Sequence, residues 1–145
     1  MSVKSGIRVS RLLLGGFAAG LVLFFITGVV NGAVLSADLQ AWSQGMGSLL
    51  HPPAMPVPML LWTLMSFIYG LSGVWLYAGI RPRFGAGPKT ALASGLLIWT
   101  VGKLATALDL FALGIMPGKI LGGELLGSLV ATLAAIFVGA WLYKE

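Results

Sequence analysis

The sequence predicts an all-α membrane protein, a four-transmembrane-helix bundle of up-down-up-down order. Three observations carry that expectation. Four apolar stretches, at about 12–35, 59–80, 90–113 and 120–143, take up most of the 145 residues. Each is long enough to cross a hydrocarbon core of about 30 Å, which takes about 20 apolar residues in a helix. Hydrophobic residues make up 58% of the chain and charged ones 9%, with a mean hydropathy of +0.97, too few polar groups to coat a water-facing fold. In lipid no water satisfies stray amides, so segments of this kind are helical. The whole of 1–145 is expected to form a single membrane domain, with no separate soluble module.

The first span follows Lys4, Arg8 and Arg11. A basic start before an apolar run also describes a signal peptide, but this run of about 24 residues exceeds the usual 7–15 and no A-x-A site closes it. It is expected to be retained. The outer loop, 36–58, places Leu39, Trp42, Met46 and Leu49 at helical spacing, with Ser36 or Asp38 available as N-cap. This reads as a short helix lying in the outer interface. Pro52, Pro53, Pro56 and Pro58 then predict an extended run into the second span. The inner loop, 81–89, is short enough to pair spans two and three as a hairpin. There Pro82 is expected to stop span two, Gly85 and Gly87 to turn the chain, and Pro88 to open span three. The turn Gly114-Ile-Met-Pro-Gly-Lys119 joins spans three and four.

Orientation follows from charge. Lys4, Arg8 and Arg11, then Arg81, Arg83 and Lys89, then Lys144 all fall on one side if the spans alternate. The positive-inside rule makes that side cytoplasmic and both termini inside. Trp75, Tyr77, Trp141 and Tyr143 would form an aromatic belt there, with Trp42 and Trp62 marking the outer side. A pI near 10.0 raises the question of nucleic acid, but the cations are scattered and juxtamembrane. Anionic lipid headgroups on the cytoplasmic side, met by Arg81, Arg83 and Lys89, are the expected partner.

An internal echo runs through the chain. Gly73-Val-Trp-Leu-Tyr77 ends span two and Gly139-Ala-Trp-Leu-Tyr143 ends span four; Ala19-Gly-Leu-Val-Leu-Phe24 resembles Ser94-Gly-Leu-Leu-Ile-Trp99. Either a helical hairpin has been duplicated, with an axis along the membrane normal, or W-L-Y is what a membrane interface selects.

Small residues line the spans. Span four carries Gly123, Gly127, Ala131, Ala135 and Gly139 at four-residue steps; span one carries Gly16/Gly20 and Gly28/Gly32; span two adds Gly70. Such ridges let helix backbones approach closely in lipid, where there is no hydrophobic drive between helices. They serve either packing within the bundle or association with other transmembrane helices, in a homo-oligomer or a host complex.

Ionisable groups inside spans cost about 2.5–3.5 kcal/mol each near the centre, so they need partners. Span three has Thr100, Lys103, Thr106 and Asp109 at every third residue. By the helical rise from Thr90, Lys103 lies about 20 Å in and Asp109 about 30 Å in. With Glu124 near the outer start of span four and Asn31 near the outer end of span one, these groups fall in one outer layer. The layer is either a proton, ion or small-solute site with Lys103 as counter-ion to Asp109 or Glu124, or a structural ion pair with Lys103 snorkelling outward.

There is no cysteine and one histidine, His51, flanked by Pro52 and Pro53. No metal site, cofactor site or catalytic constellation is expected from this inventory. Finally, Tyr77-Ala-Gly-Ile-Arg-Pro-Arg-Phe-Gly-Ala-Gly-Pro-Lys-Thr-Ala91, with Leu13-Leu-Gly-Gly-Phe-Ala-Ala-Gly20, Asn31-Gly32 and Gly139-Ala-Trp-Leu-Tyr-Lys-Glu145, resembles an uncharacterised family of small bacterial four-span membrane proteins. The resemblance implies a bacterial inner-membrane location and no activity. Taken together, the expected role is a structural or accessory subunit of a membrane assembly, or a homo-oligomer; the alternative is a small transporter or channel using the outer polar layer.

Overall fold

The computed structural model describes residues 6–143. Lys4, Lys144 and Glu145, used above for orientation and for the terminal motif, lie outside the described residues. Among those described, the regular structure is entirely helical. Four helices are long and apolar enough to cross a membrane: Val9–Val34, Val57–Phe84, Pro88–Ala112 and Gly118–Leu142.

The first is α1 (Val9–Val29) continued by a π turn, Val30–Val34. Without an intervening loop the chain enters α2 (Ser36–Met46). Ser36 is therefore the first helical residue and Asp38 lies in the first turn; Leu35 holds the N-cap position and no side chain caps the helix. The expected Ser36 or Asp38 cap is not formed because the Leu35 N–H already bonds the Val30 carbonyl at 2.8 Å, which carries helical winding across the junction. A 3₁₀ turn, Gly47–Leu49, and the proline-rich stretch 50–56 lead into α3 (Val57–Phe84). Pro58 belongs to the first turn of α3, where its missing N–H has no partner to lose.

Pro82 does not stop the second span. Helix α3 runs through it to Phe84. A proline removes its own donor and leaves those of the residues after it, so one lost bond in the last turn is tolerated. The stop is Gly85, at φ 83°, whose N–H closes on the Arg81 carbonyl at 2.8 Å. With Gly87 at φ 141°, it turns the chain in three residues into α4 (Pro88–Trp99). A second π turn, Thr100–Leu104, joins α4 to α5 (Ala105–Ala112), and α6 (Gly118–Leu142) follows the Gly114 turn.

Pairs of touching positions give the arrangement. Gly16 stands against Leu71 and Gly20 against Phe67; Ser94 against Gly73 and Gly102 against Tyr69; Gly95 against Leu133 and Trp99 against Ser128; Gly15 against Gly139 and Gly127 against Val30. In every case one number rises as the other falls, so neighbouring spans run antiparallel. Helix α1 touches α3 and α6, α4 touches the same two, and α3 meets α6 across the middle. The core they enclose is built from alanines and β-branched residues: Ala19, Val74, Ala131, Ala135 and Ile136 are fully covered. The outer surface is the reverse, with Leu13, Phe17, Phe25, Leu64, Val101, Leu126 and Trp141 all exposed. Apolar surface on this scale is stable only against lipid or another apolar phase.

The two hairpins repeat each other's contacts. The correspondence that matches Gly20 to Gly95 and Gly73 to Gly139 also matches Phe67 to Leu133. Gly20 packs on Phe67 just as Gly95 packs on Leu133, and Ser94 lies on Gly73 as Ala19 lies on Gly139. Interface selection accounts for the exposed Trp75 and Trp141. It does not account for Tyr77 and Tyr143, which are buried at the junction of the hairpins with ring centroids 6.3 Å apart.

Candidate functional site

The glycine ridges are used inside the chain. A Cβ on Gly15 would lie 2.6 Å from the Gly139 carbonyl, and one on Gly70 would lie 2.7 Å from the Gly16 carbonyl and 2.5 Å from the Gly20 nitrogen. Gly123 and Gly127 receive the side chains of Leu35 and Val30, and Ala131 and Ala135 are fully buried beside them. Of the small residues named above, Gly28 and Gly32 differ: an added Cβ there meets nothing within 4 Å.

The polar groups are brought together only in part. Asn31 sits in the first π turn and Lys103 in the second. Each π turn has glycine at its third position, Gly32 and Gly102. Each is closed by a bond five residues back, Leu35 N–H to the Val30 carbonyl and Ala105 N–H to the Thr100 carbonyl. Such a turn holds one residue more than the α ladder accepts and loosens backbone polar groups from it, which is why π turns recur at binding sites. Helix α6 touches both turns. Its stretch Gly123–Ser128 lies between them: Gly127 takes Val30 on one side, and Leu125 and Ser128 take the Trp99 indole on the other.

Glu124 occupies the inward stripe of that stretch, on the line of the buried Leu121, Ser128, Ala131 and Thr132. It is half-buried. No ion pair joins it to Lys103 among the described residues; the Lys103 ammonium instead stands over the Tyr69 ring, 5.1 Å from its centroid. That contact is open because Gly102 has no side chain and the Tyr69 ring lies against it. The expected Lys103 counter-ion contact with Asp109 or Glu124 is not formed among the described residues, and the ring face of Tyr69 takes the ammonium instead. Asp109 and Thr106 point away from the interior: both are exposed, and the Thr106 hydroxyl bonds its own helix at the Gly102 carbonyl, 2.8 Å.

Sequence reasoning missed three contributors. The Trp99 indole N–H donates to Ser128 Oγ at 3.1 Å and to the Leu125 carbonyl at 3.3 Å. Ser128 and Thr132 continue inward from Glu124 at successive four-residue steps, so a polar file runs along the inner face of α6. Thr132 Oγ1 is fully buried and Asn31 Oδ1 is covered, and among the described residues neither has a hydrogen-bond partner. Buried polar atoms without partners are costly and ask for a partner such as water or a ligand. The spacing of Glu124, Ser128 and Thr132 was the available signal.

Over this layer lies α2, held by the Trp42 indole N–H on the Ile115 carbonyl at 3.1 Å and by Lys119 on Asp38 at 2.8 Å. Among the described residues no three or more histidine, cysteine, aspartate or glutamate side chains converge as metal ligands, and His51 is exposed in the proline-rich stretch.

At the other end of the bundle Arg8, Arg11, Arg81, Arg83 and Lys89 gather, because the start of α1, the end of α3 and the start of α4 lie together. The described acids, Asp38, Asp109 and Glu124, all belong to the opposite half. The fold and its charge distribution define a multi-pass, all-helical membrane protein with one polar and one basic end. Comparison with family profiles, curated proteins and solved structures finds no match to this chain.

Proposed function

We propose that the polar end of the bundle is a site for a proton, an ion or a small polar solute, and that the protein works as a small transporter or channel. The observation that carries this reading is the placement of Glu124 on α6 between two π turns, one bearing Asn31 and the other Lys103. A bundle that needed only to pack has no use for two interrupted helices at one depth, or for Asn31 and Thr132 left without partners. The basic end faces the cytoplasm by the positive-inside rule, the polar end faces outward, and α2 lies in the outer interface. A bacterial inner-membrane setting, implied by the family resemblance, belongs to the same reading.

The test is flux in proteoliposomes under an imposed membrane potential, read by an internal pH dye and, separately, by potassium and sodium uptake. Flux above protein-free vesicles that falls about tenfold, or 1.4 kcal/mol, in Glu124→Gln and persists in Asp109→Asn supports the site. Flux equal to protein-free vesicles for all three cations, or equal loss in both variants, overturns it.

A second reading, an accessory or self-associating subunit, is favoured by Gly28 and Gly32. They form the GxxxG pair that no other described residue covers, next to the exposed Phe25 and Val29. Association in mild detergent that is lost in Gly32→Leu supports this role; a monodisperse monomer sinks it.

A further inference from the structure

The basic end holds a cavity of about 560 Å³ between the end of α3, the Gly85–Gly87 turn, the start of α4 and the end of α6. Its volume is that of a small-molecule site. We infer that this cavity is a built site for one anionic phospholipid, with the headgroup phosphate at Arg81 and the first acyl carbons along α6. The inference is independent of the outer polar site and concerns the opposite end of the molecule.

The walls divide by chemistry. Ala91, Phe137, Ala140 and Trp141 make an apolar side, of which Phe137 and Trp141 are exposed on the flank of α6. Arg81 makes the charged side, and it also lines a neighbouring cavity of about 260 Å³ toward Gly6 and Ile7. Its guanidinium is held in place over the Tyr143 ring, 5.9 Å from the centroid, and that ring is itself fixed, its hydroxyl accepting the Arg8 N–H at 3.2 Å. The turn that closes the cavity is fixed likewise: the Gly87 N–H donates to the Tyr77 hydroxyl at 3.3 Å and Thr90 Oγ1 donates to the Gly85 carbonyl at 2.7 Å.

Charge chooses the occupant. Arg8, Arg11, Arg83 and Lys89 surround this end. A planar guanidinium pairs two phosphate oxygens at once, a geometry that lysine lacks. A free phosphate would leave the apolar wall bare, whereas a phospholipid covers both walls. Its depth also fits, since the cavity lies where the exposed Trp75 and Trp141 mark a headgroup-level belt.

The test is native mass spectrometry of the full chain, delipidated in detergent and titrated with phosphatidylglycerol, with phosphatidylcholine, and with inorganic phosphate as competitor. Expected is a single phosphatidylglycerol adduct, weakened about tenfold or more by Arg81→Gln and changed less than about threefold by Arg83→Gln or Lys89→Gln, tenfold corresponding to 1.4 kcal/mol. Ala86→Trp, which fills the cavity from the exposed turn without touching a span interior, should also abolish the adduct. Equal weakening by all three charge variants would mean diffuse attraction and overturns the site, as would equal binding of phosphatidylcholine. Displacement by millimolar inorganic phosphate would assign the cavity to the free anion and equally overturns it. Undiminished binding in Ala86→Trp moves the lipid elsewhere and does the same.

Discussion

Tyr77 and Tyr143 meet edge to face in the buried junction between the two helical hairpins, with an interplanar angle of 87°. Each hydroxyl accepts a backbone N–H from the start of another span: Gly87 ahead of α4 for Tyr77, and Arg8 ahead of α1 for Tyr143. The pair thus ties all four spans at the basic end, once through each hairpin. It is also the position where the two W-L-Y motifs become a matched contact.

Replacing either tyrosine by phenylalanine keeps the ring and deletes the acceptor. Each of Tyr77→Phe and Tyr143→Phe should cost about 0.5–1.5 kcal/mol. The double variant should be additive within about 0.5 kcal/mol, because the ring contact survives and the two hydroxyls accept from different N–H groups. Reversible unfolding in mixed micelles measures both.

The glycines divide by what surrounds them. Gly15→Ala, Gly70→Ala and Gly139→Ala press a methyl onto the backbone of another span, so each should lose about 1–3 kcal/mol. Gly28→Ala and Gly32→Ala meet open space and should leave unfolding within about 1 kcal/mol of the parent. If those two glycines dock another helix, association changes in the same variants while unfolding does not.

Tyr69→Leu removes the ring under the Lys103 ammonium and should cost about 1 kcal/mol or more in this partly desolvated setting. Lys103→Met should recover stability in the Tyr69→Leu background, because it removes the cation left without its ring. Stability that is the same in Tyr69→Leu with and without Lys103→Met would show that the contact contributes nothing.

Helix α2 has two tethers of different worth. The Lys119–Asp38 pair is exposed at the lysine, so Asp38→Asn should change stability by no more than about 1 kcal/mol, less at high salt. Trp42→Phe, which breaks the bond to the Ile115 carbonyl, should speed hydrogen exchange across Ser36–Met46 regardless of salt. Exchange measured in the two variants at low and high salt separates these contributions.

The chain shows unevenly how much of itself can be read in advance. Pro88 and Gly87 were legible as the start of α4 and the turn before it, because both act through their own φ. Pro82 was misread, since whether a proline ends a helix depends on what the following residues bond. Asn31, Lys103 and Glu124 were legible as belonging to the half of the bundle away from the cations, which needs only the helical rise. Their true surroundings, Tyr69 beneath Lys103 and the π turns around Asn31 and Lys103, were not. Asp109 belongs to the same half of the bundle and lies exposed, because position along the helix says nothing about rotation around it.

By itself the sequence determined the class, the number of spans and the gathering of cations at one end. Those properties add up residue by residue along the chain, and lipid imposes them before any two helices touch. Only the tertiary structure decided which faces meet. A glycine ridge permits close approach without naming a partner, so Gly139 could have served a neighbouring chain as well as Gly15 of its own. The same is true of the polar end: Glu124 became a candidate site only when α6 was laid between two π turns.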